Sequence, residues 1–175
     1  MGRVWVQFIG ILLFFSGFFR VEASSISSAV DLALSLRGSP YVWNSNGPNS
    51  FDCSGFVHFV IRQTVGDKTF RYPYNLNEIA RFSGKSYQYQ SVYYRDLLRL
   101  ADAEISCDWA KSGDIVFFHR SSQQNYNHIG LIVDSRQRTF ITAQSRQLGV
   151  MLLPFGPGSY WQDRKTECYK NIWLQ

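Results

Sequence analysis

The sequence lacks the spacing of a metal site. Its three cysteines and three histidines are scattered, and no pair has the C-x2-4-C or H-x3-5-H separation of zinc ligands. It also lacks a G-x-S-x-G elbow for an activated serine and a glycine-rich loop for phosphate. It has no run of lysine or arginine. A net charge of +5 spread over 175 residues suits an anionic polymer such as a cell wall, and argues against a nucleic-acid partner. Internal repeats, low-complexity tracts and linkers are absent as well. The length then allows one domain with a real core. Hydrophobic residues make up 45% and aromatics 17%, which excludes a disordered chain. The Tyr and Phe content suits a β-rich core and equally a sugar- or peptide-binding cleft.

The N-terminus has the anatomy of a secretory signal. Met1-Gly2-Arg3 is a short basic start, Val4 to Phe19 is apolar apart from Gln7 and Ser16, and Val21-Glu22-Ala23 places small residues before Ser24. The expected division is residues 1–23 as signal peptide and 24–175 as the functional domain, acting outside the cytoplasm, secreted or in the periplasm or cell envelope. The apolar core is short for a membrane span and Arg20 ends it, so no stable membrane insertion is expected after cleavage; an uncleaved anchor is the alternative. Three cysteines in a secreted chain is an odd count, so one must be free or bonded to another molecule. If Cys53 is a working thiol, Cys107 and Cys168 are left as a possible disulfide, which such a compartment permits.

Read in order, the chain predicts helices first and strands later. Ser24 to Ser28 offer helix caps, Ala29 to Arg37 has helical spacing, and Gly38 and Pro40 stop it. Pro40 to Trp43 reads as extended. Asp52 caps a second helix running to about Val65, with Gly66 as its stop. Tyr72 to Asn75 reads as a turn, Leu76–Phe82 as a short helix ended by Ser83-Gly84-Lys85, and Tyr93–Ala103 as another helix. Strands are expected at 114–118, 128–133, 139–143 and 149–153, with Tyr160-Trp161 and Tyr169 to Leu174 closing an antiparallel meander. The class is α+β.

The chemistry centres on Phe51-Asp52-Cys53-Ser54-Gly55-Phe56-Val57. A cysteine on the first turn of a helix meets unpaired backbone N–H groups and the positive end of the macrodipole, and both favour the nucleophilic thiolate. Such a nucleophile needs a base, and the base needs an orienting group. His58 lies five residues on, about 140° round the same helix, and faces away. His119 and His128 flank one loop. His128 is the preferred base because Gly130 follows on the same strand face and lets another element approach closely. Thr142 and Gln144 share one face of the next strand and are both candidates for the orienter.

Four segments in this order resemble the NlpC/P60 peptidases: Gly38-Ser39-Pro40-Tyr41-Val42-Trp43, the Cys53 segment, Ser112 to Phe118, and His128-Ile129-Gly130-Leu131-Ile132-Val133. The resemblance covers nearly all of the chain beyond the signal. It implies a reduced papain-like fold, with N-terminal helices packed on a C-terminal antiparallel sheet. It also implies a monomeric, cofactor-free cysteine endopeptidase that cuts peptidoglycan stem peptides, commonly between γ-D-glutamate and a diamino acid. Cys53 matches the nucleophile and His128 the base, while Asp52 and Ser54 match positions that receive a stem-peptide amine and Tyr41 a tyrosine bordering the site. Where the family often has a third histidine, this chain has Thr142, with Gln144 two residues on; Gln144 is favoured and Thr142 stays in play. The stretch between Arg71 and Lys111 is longer than usual; it reads as an insertion that carries Cys107 and can shape or cap the cleft. Three other readings remain: an antibacterial effector with the same chemistry, a non-catalytic adaptor for wall peptides, and a related amidase or acyltransferase, whose lipid-directed forms tend to place histidine before cysteine.

Overall fold

In a computed structural model the described residues are 20–66, 75–83, 90–120 and 128–174. Among these residues four helices come first: α1 (Arg20–Ser35), α2 (Cys53–Val65), α3 (Leu76–Ser83) and α4 (Gln90–Leu100). Six strands follow: β1 (Glu104–Ile105), β2 (Ile115–Arg120), β3 (His128–Asp134), β4 (Thr139–Ser145), β5 (Gly149–Pro154) and β6 (Arg164–Tyr169). They form one sheet in the order β1-β6-β2-β3-β4-β5, and every pairing is antiparallel. This is the α+β layout, helices then antiparallel sheet, that the sequence predicts.

The helices carry the expected physical marks. Asp52 caps α2 and Gly66 closes it, its N–H donating to the Arg62 carbonyl. Asn75 and Glu78 form a capping box at α3, each side chain accepting the other's backbone N–H at 3.0 and 2.9 Å. Most of the signal segment, Tyr72-Pro73-Tyr74 of the expected turn and the Gly84-Lys85 stop lie outside the described residues. α1 starts earlier than expected, at Arg20, and ends at Ser35. The serines read as caps fall inside it and bond elsewhere: Ser25 donates to the Leu174 carbonyl at 3.2 Å and Ser27 to Asp31 at 3.4 Å. Residues 38–39 reach across to β5, with Gly38 N–H on the Val150 carbonyl and Val150 N–H on the Ser39 carbonyl, both at 2.9 Å.

The sheet separates two apolar clusters. On one face α2 packs through Phe56, Val57, Val60 and Ile61 onto Ile115, Phe117, Ile129, Leu131, Ile141 and Tyr169. Each fully buried aliphatic or Phe side chain there contributes about 1.5–3 kcal/mol. On the opposite face Val116, Phe118, Ile132, Phe140 and Cys168 meet Phe155 and Trp161.

Two expectations about the end of the chain are corrected. Tyr160 and Trp161 lie in a turn, and β6 is the charged stretch Arg164–Tyr169 instead of Tyr169 to Leu174. The strands from β2 to β5 do form a meander, but β6 returns to the far side of β2, pairing Ile115↔Tyr169 through Arg120↔Arg164. That return brings Cys168 to Cys107, and the two form a disulfide with Cα atoms 5.1 Å apart.

The bridge joins positions separated by 61 residues. Closing a loop of that size in the unfolded chain stabilises the fold by about 4 kcal/mol on the chain-entropy account. The Cys107→Ser/Cys168→Ser protein is expected to unfold at clearly lower guanidinium concentration than wild type, with its reduced wild-type counterpart behaving alike.

Candidate active site

The site is built around the first turn of α2. Oδ1 of Asp52 accepts the Gly55 N–H at 2.7 Å and the Ser54 hydroxyl at 2.9 Å. A cap of this kind is worth about 1 kcal/mol. The Asp52 N–H donates to the Ser45 carbonyl at 2.8 Å, pressing the turn against residues 45–46. A Cβ on Gly55 would lie 2.1 Å from the Ser45 oxygen, so only glycine permits this approach. Residues 40–42 run beside Phe51, which donates to the Pro40 carbonyl and accepts from Val42, both at 3.0 Å. Tyr41 is thereby held next to Asp52 and Cys53. Burial, then Cys53 and Asp52, push its hydroxyl up to about 12, while Arg146 on the β4–β5 turn works the other way. Tyr41, Asp52, Cys53 and Ser54 are thus gathered in one place.

Cys53 is a free thiol and is buried. Burial pushes it up to about 12 and the Asp52 carboxylate adds to this; backbone N–H groups of Ile129, Ser54 and Cys53 itself pull it down. The helix-start donors expected from the sequence are therefore present, but desolvation outweighs them. A group removed from water loses more solvation of its charged form than a few N–H dipoles restore.

The Ile129 N–H identifies where β3 passes: directly over the cysteine, one residue beyond His128. The His128 ring stands at the start of β3, against Phe118, Phe140 and Trp161. It stacks on Trp161 with centroids 4.9 Å apart and planes 16° apart, and lies 6.4 Å from Phe118 and 6.5 Å from Phe140. Gly130 lets Phe140 in beside it, since a Cβ there would lie 2.4 Å from that ring. Burial, with a smaller contribution from Arg164, holds the imidazole down at about 3, so it is neutral. No hydrogen bond joins Cys53 and His128. His119, on β2, pairs with Lys165 of β6 and alternates onto the opposite face from Phe118 and His128. His58, on α2, hydrogen-bonds the Tyr94 hydroxyl.

The β3–β4 pairing ends at Leu131↔Ile141, so Thr142 and Gln144 continue β4 past the paired stretch, toward the end of the sheet where β3 begins with His128. The Thr142 hydroxyl is wholly buried and donates to the Ile129 carbonyl at 2.7 Å, so it is committed to β3. Gln144 sits where the β4–β5 register shifts, a bulge that re-aims a side chain. Its Oε1 and the His128 Nε2 are both buried and make no hydrogen bond. Cys107 and Cys168 lie apart from this group, tying the segment after β1 to β6. Trp161 was not singled out as a site residue by sequence; the only signal was an aromatic pair in a segment that reads equally well as a strand. Among the described residues no group of three or more His, Cys, Asp or Glu is arranged to hold a metal.

A family model described as "NlpC/P60 family" matches residues 38–170. The "Probable endopeptidase p60" of Listeria grayi is 28% identical over 129 residues, covering 74% of this chain and 20% of that protein. A "Probable endopeptidase" of Corynebacterium glutamicum is 33% identical over 110 residues, covering 62% of this chain and 39% of that one. The chain therefore spans well under half the length of these relatives. The P60 domain of antigen MAP1204 from M. avium subspecies paratuberculosis superposes with a TM-score of 0.54 at 22% identity, over 87% of this chain and 97% of that one, which is a likeness of fold.

The buried imidazole makes stability depend on pH. In the folded state His128 stays neutral down to about 3, whereas unfolded it takes a proton below its ordinary value of 6.5. Stability is complete above 6.5 and is lost as pH falls from there toward 3, at no more than about 1.4 kcal/mol per pH unit from this group. Guanidinium unfolding at pH 7 and pH 5 is expected to show a larger loss for wild type than for His128→Phe.

Proposed function

The chain belongs to the NlpC/P60 family, and from that premise we propose that it is a cysteine endopeptidase that hydrolyses peptidoglycan stem peptides, at the bond between γ-D-glutamate and a diamino acid. The observation that carries this reading is the free thiol on the first turn of α2 lying beneath the start of β3, where His128 stands. The names of the relatives, endopeptidases in each case, support it.

The chemistry runs through a neutral pair. Cys53 attacks the scissile carbonyl and gives its proton to His128 as the C–S bond forms, so the thiolate exists only as it reacts. Its own backbone N–H and neighbouring donors stabilise the oxyanion. The protonated His128 then passes its proton to the leaving amine, and the freed imidazole activates water to hydrolyse the thioester. Gln144 is the proposed third member: its Oε1, buried and without a hydrogen bond, is an acceptor for the proton that Nε2 carries once the ring is charged. Asp52 binds a substrate amine through Oδ2, because its cap bonds both fall on Oδ1. Ser54 and Tyr41 line the same end of the cleft. The N-terminal segment is proposed to be a cleaved signal, with residues 24–175 as the catalytic domain, acting alone in the cell envelope or outside the cell.

Muropeptide digests analysed by mass spectrometry are expected to show cleavage by wild type and a loss of about 10³-fold or more with Cys53→Ala. Uncut stem peptides with wild type would sink the peptidase reading, and equal cutting by the variant would remove Cys53 from the nucleophile's role. Gln144→Ala is expected to lower kcat by about 10-fold or more. Thr142→Ala is expected chiefly to lower stability, by about 1 kcal/mol. The reverse ranking in kcat would move the orienting role to Thr142.

A further inference from the structure

Trp161 is the largest feature of the His128 surroundings that the proposed chemistry does not use. The two rings are nearly parallel, 16° apart, with centroids at 4.9 Å, while the other aromatic neighbours of His128 are tilted or edge-on. Trp161 is only 5% exposed although it lies in a turn. It is fixed from several sides: by Phe118 with centroids at 4.4 Å, by Phe140 at 5.7 Å, and by the guanidinium of Arg164 5.8 Å from its ring centre. The backbone also anchors it, since its N–H donates to the Ser159 hydroxyl at 3.1 Å and its carbonyl accepts from Arg164 at 3.0 Å. An indole held this firmly leaves a stacked imidazole few orientations.

The imidazole needs such support. Its Nε2 makes no hydrogen bond, so no polar contact at that atom sets the ring's rotation. Gly130 beside it contributes no side chain, and its place is filled by Phe140 edge-on. The plane of His128 is therefore set by a face, and the one parallel face it meets among the described residues is that of Trp161.

We propose that Trp161 is a positioning residue for His128: its indole face fixes the imidazole plane, and with it the directions in which the two ring nitrogens point. Aromatic stacking of this kind contributes about 0.5–1.5 kcal/mol beyond area burial and is directional. The direction matters more than the energy, because a small misplacement of a base can cost about 10²-fold in rate. The role rests on the endopeptidase reading only in taking His128 as the base. It separates Trp161 from an ordinary core residue, for which any apolar side chain of fair volume would serve.

The test compares Trp161→Phe, which keeps a flat aromatic face, with Trp161→Leu, which keeps apolar volume without one. Two rates are read: alkylation of Cys53 by iodoacetamide at neutral pH, with the cysteine adduct mapped by mass spectrometry, and kcat and KM on a stem peptide. Positioning predicts that Phe stays within about 3-fold of wild type while Leu falls about 10-fold or more in alkylation and in kcat, with KM little changed. Equal rates for Phe and Leu overturn the proposal. If wild type cuts no stem peptide, the endopeptidase reading fails by itself and the alkylation ranking still decides the role of Trp161. A measurement on wild type alone guards against variants that do not fold: the His128 ring protons are expected upfield in the NMR spectrum, shifted by the indole current. Ordinary shifts would show that the stack does not exist in solution.

Discussion

The site depends on how tightly the first turn of α2 is seated. It is held by the Asp52 N–H on the Ser45 carbonyl, by a glycine that brings Gly55 into contact with the same oxygen, and by β3 laid over the cysteine through the Ile129 N–H. None of these contacts is strong alone. Together they leave Cys53 no freedom to withdraw from the start of β3, and the apolar stripe of α2 locks the helix behind it. The motif around Cys53 is therefore a packing specification as much as a chemical one. Asp52 caps, Ser54 bonds the cap, and Gly55 admits the neighbouring backbone.

That seating has an electrostatic consequence. The proposed nucleophile and base are both deeply buried, and burial disfavours the charged form of each. A reactive cysteine can be prepared by a stabilised thiolate or by a base ready to take its proton in the transition state. This geometry favours the second. It also gives the aromatic cluster around His128 a purpose beyond cohesion, since a dry environment strengthens every hydrogen bond formed as the proton moves.

Much of this was legible in the chain. α2 with its cap and stop, and the strands from β2 to β5, are marked by periodicity and turn residues, and they fix the layer on which the site stands. The position of β6 was not legible, because Arg164-Lys165-Thr166-Glu167 is too polar to read as a strand while Tyr160-Trp161 reads as one. Pairing on both sides, with β1 and β2, makes the difference, and such partners are invisible to local patterning. The surroundings of Cys53 were only half legible for a related reason: a helix terminus with its N–H donors can be read from a sequence, but the extent of burial that opposes them cannot. The place of Trp161 beside His128 arises only from the tertiary approach of the 155–163 turn to β3, which local sequence does not encode.

One connection has a reach beyond catalysis. Residues 38–39 hydrogen-bond to Val150 on β5, the outermost strand of the sheet on that side. An outer strand with bare amides invites pairing with another molecule. The peptide that delivers Tyr41 to the cysteine therefore also blunts the sheet's margin, so the proposed substrate contact and the covering of an outer strand draw on the same few residues. A change that remodels this segment for a new substrate would put the second property at risk along with the first.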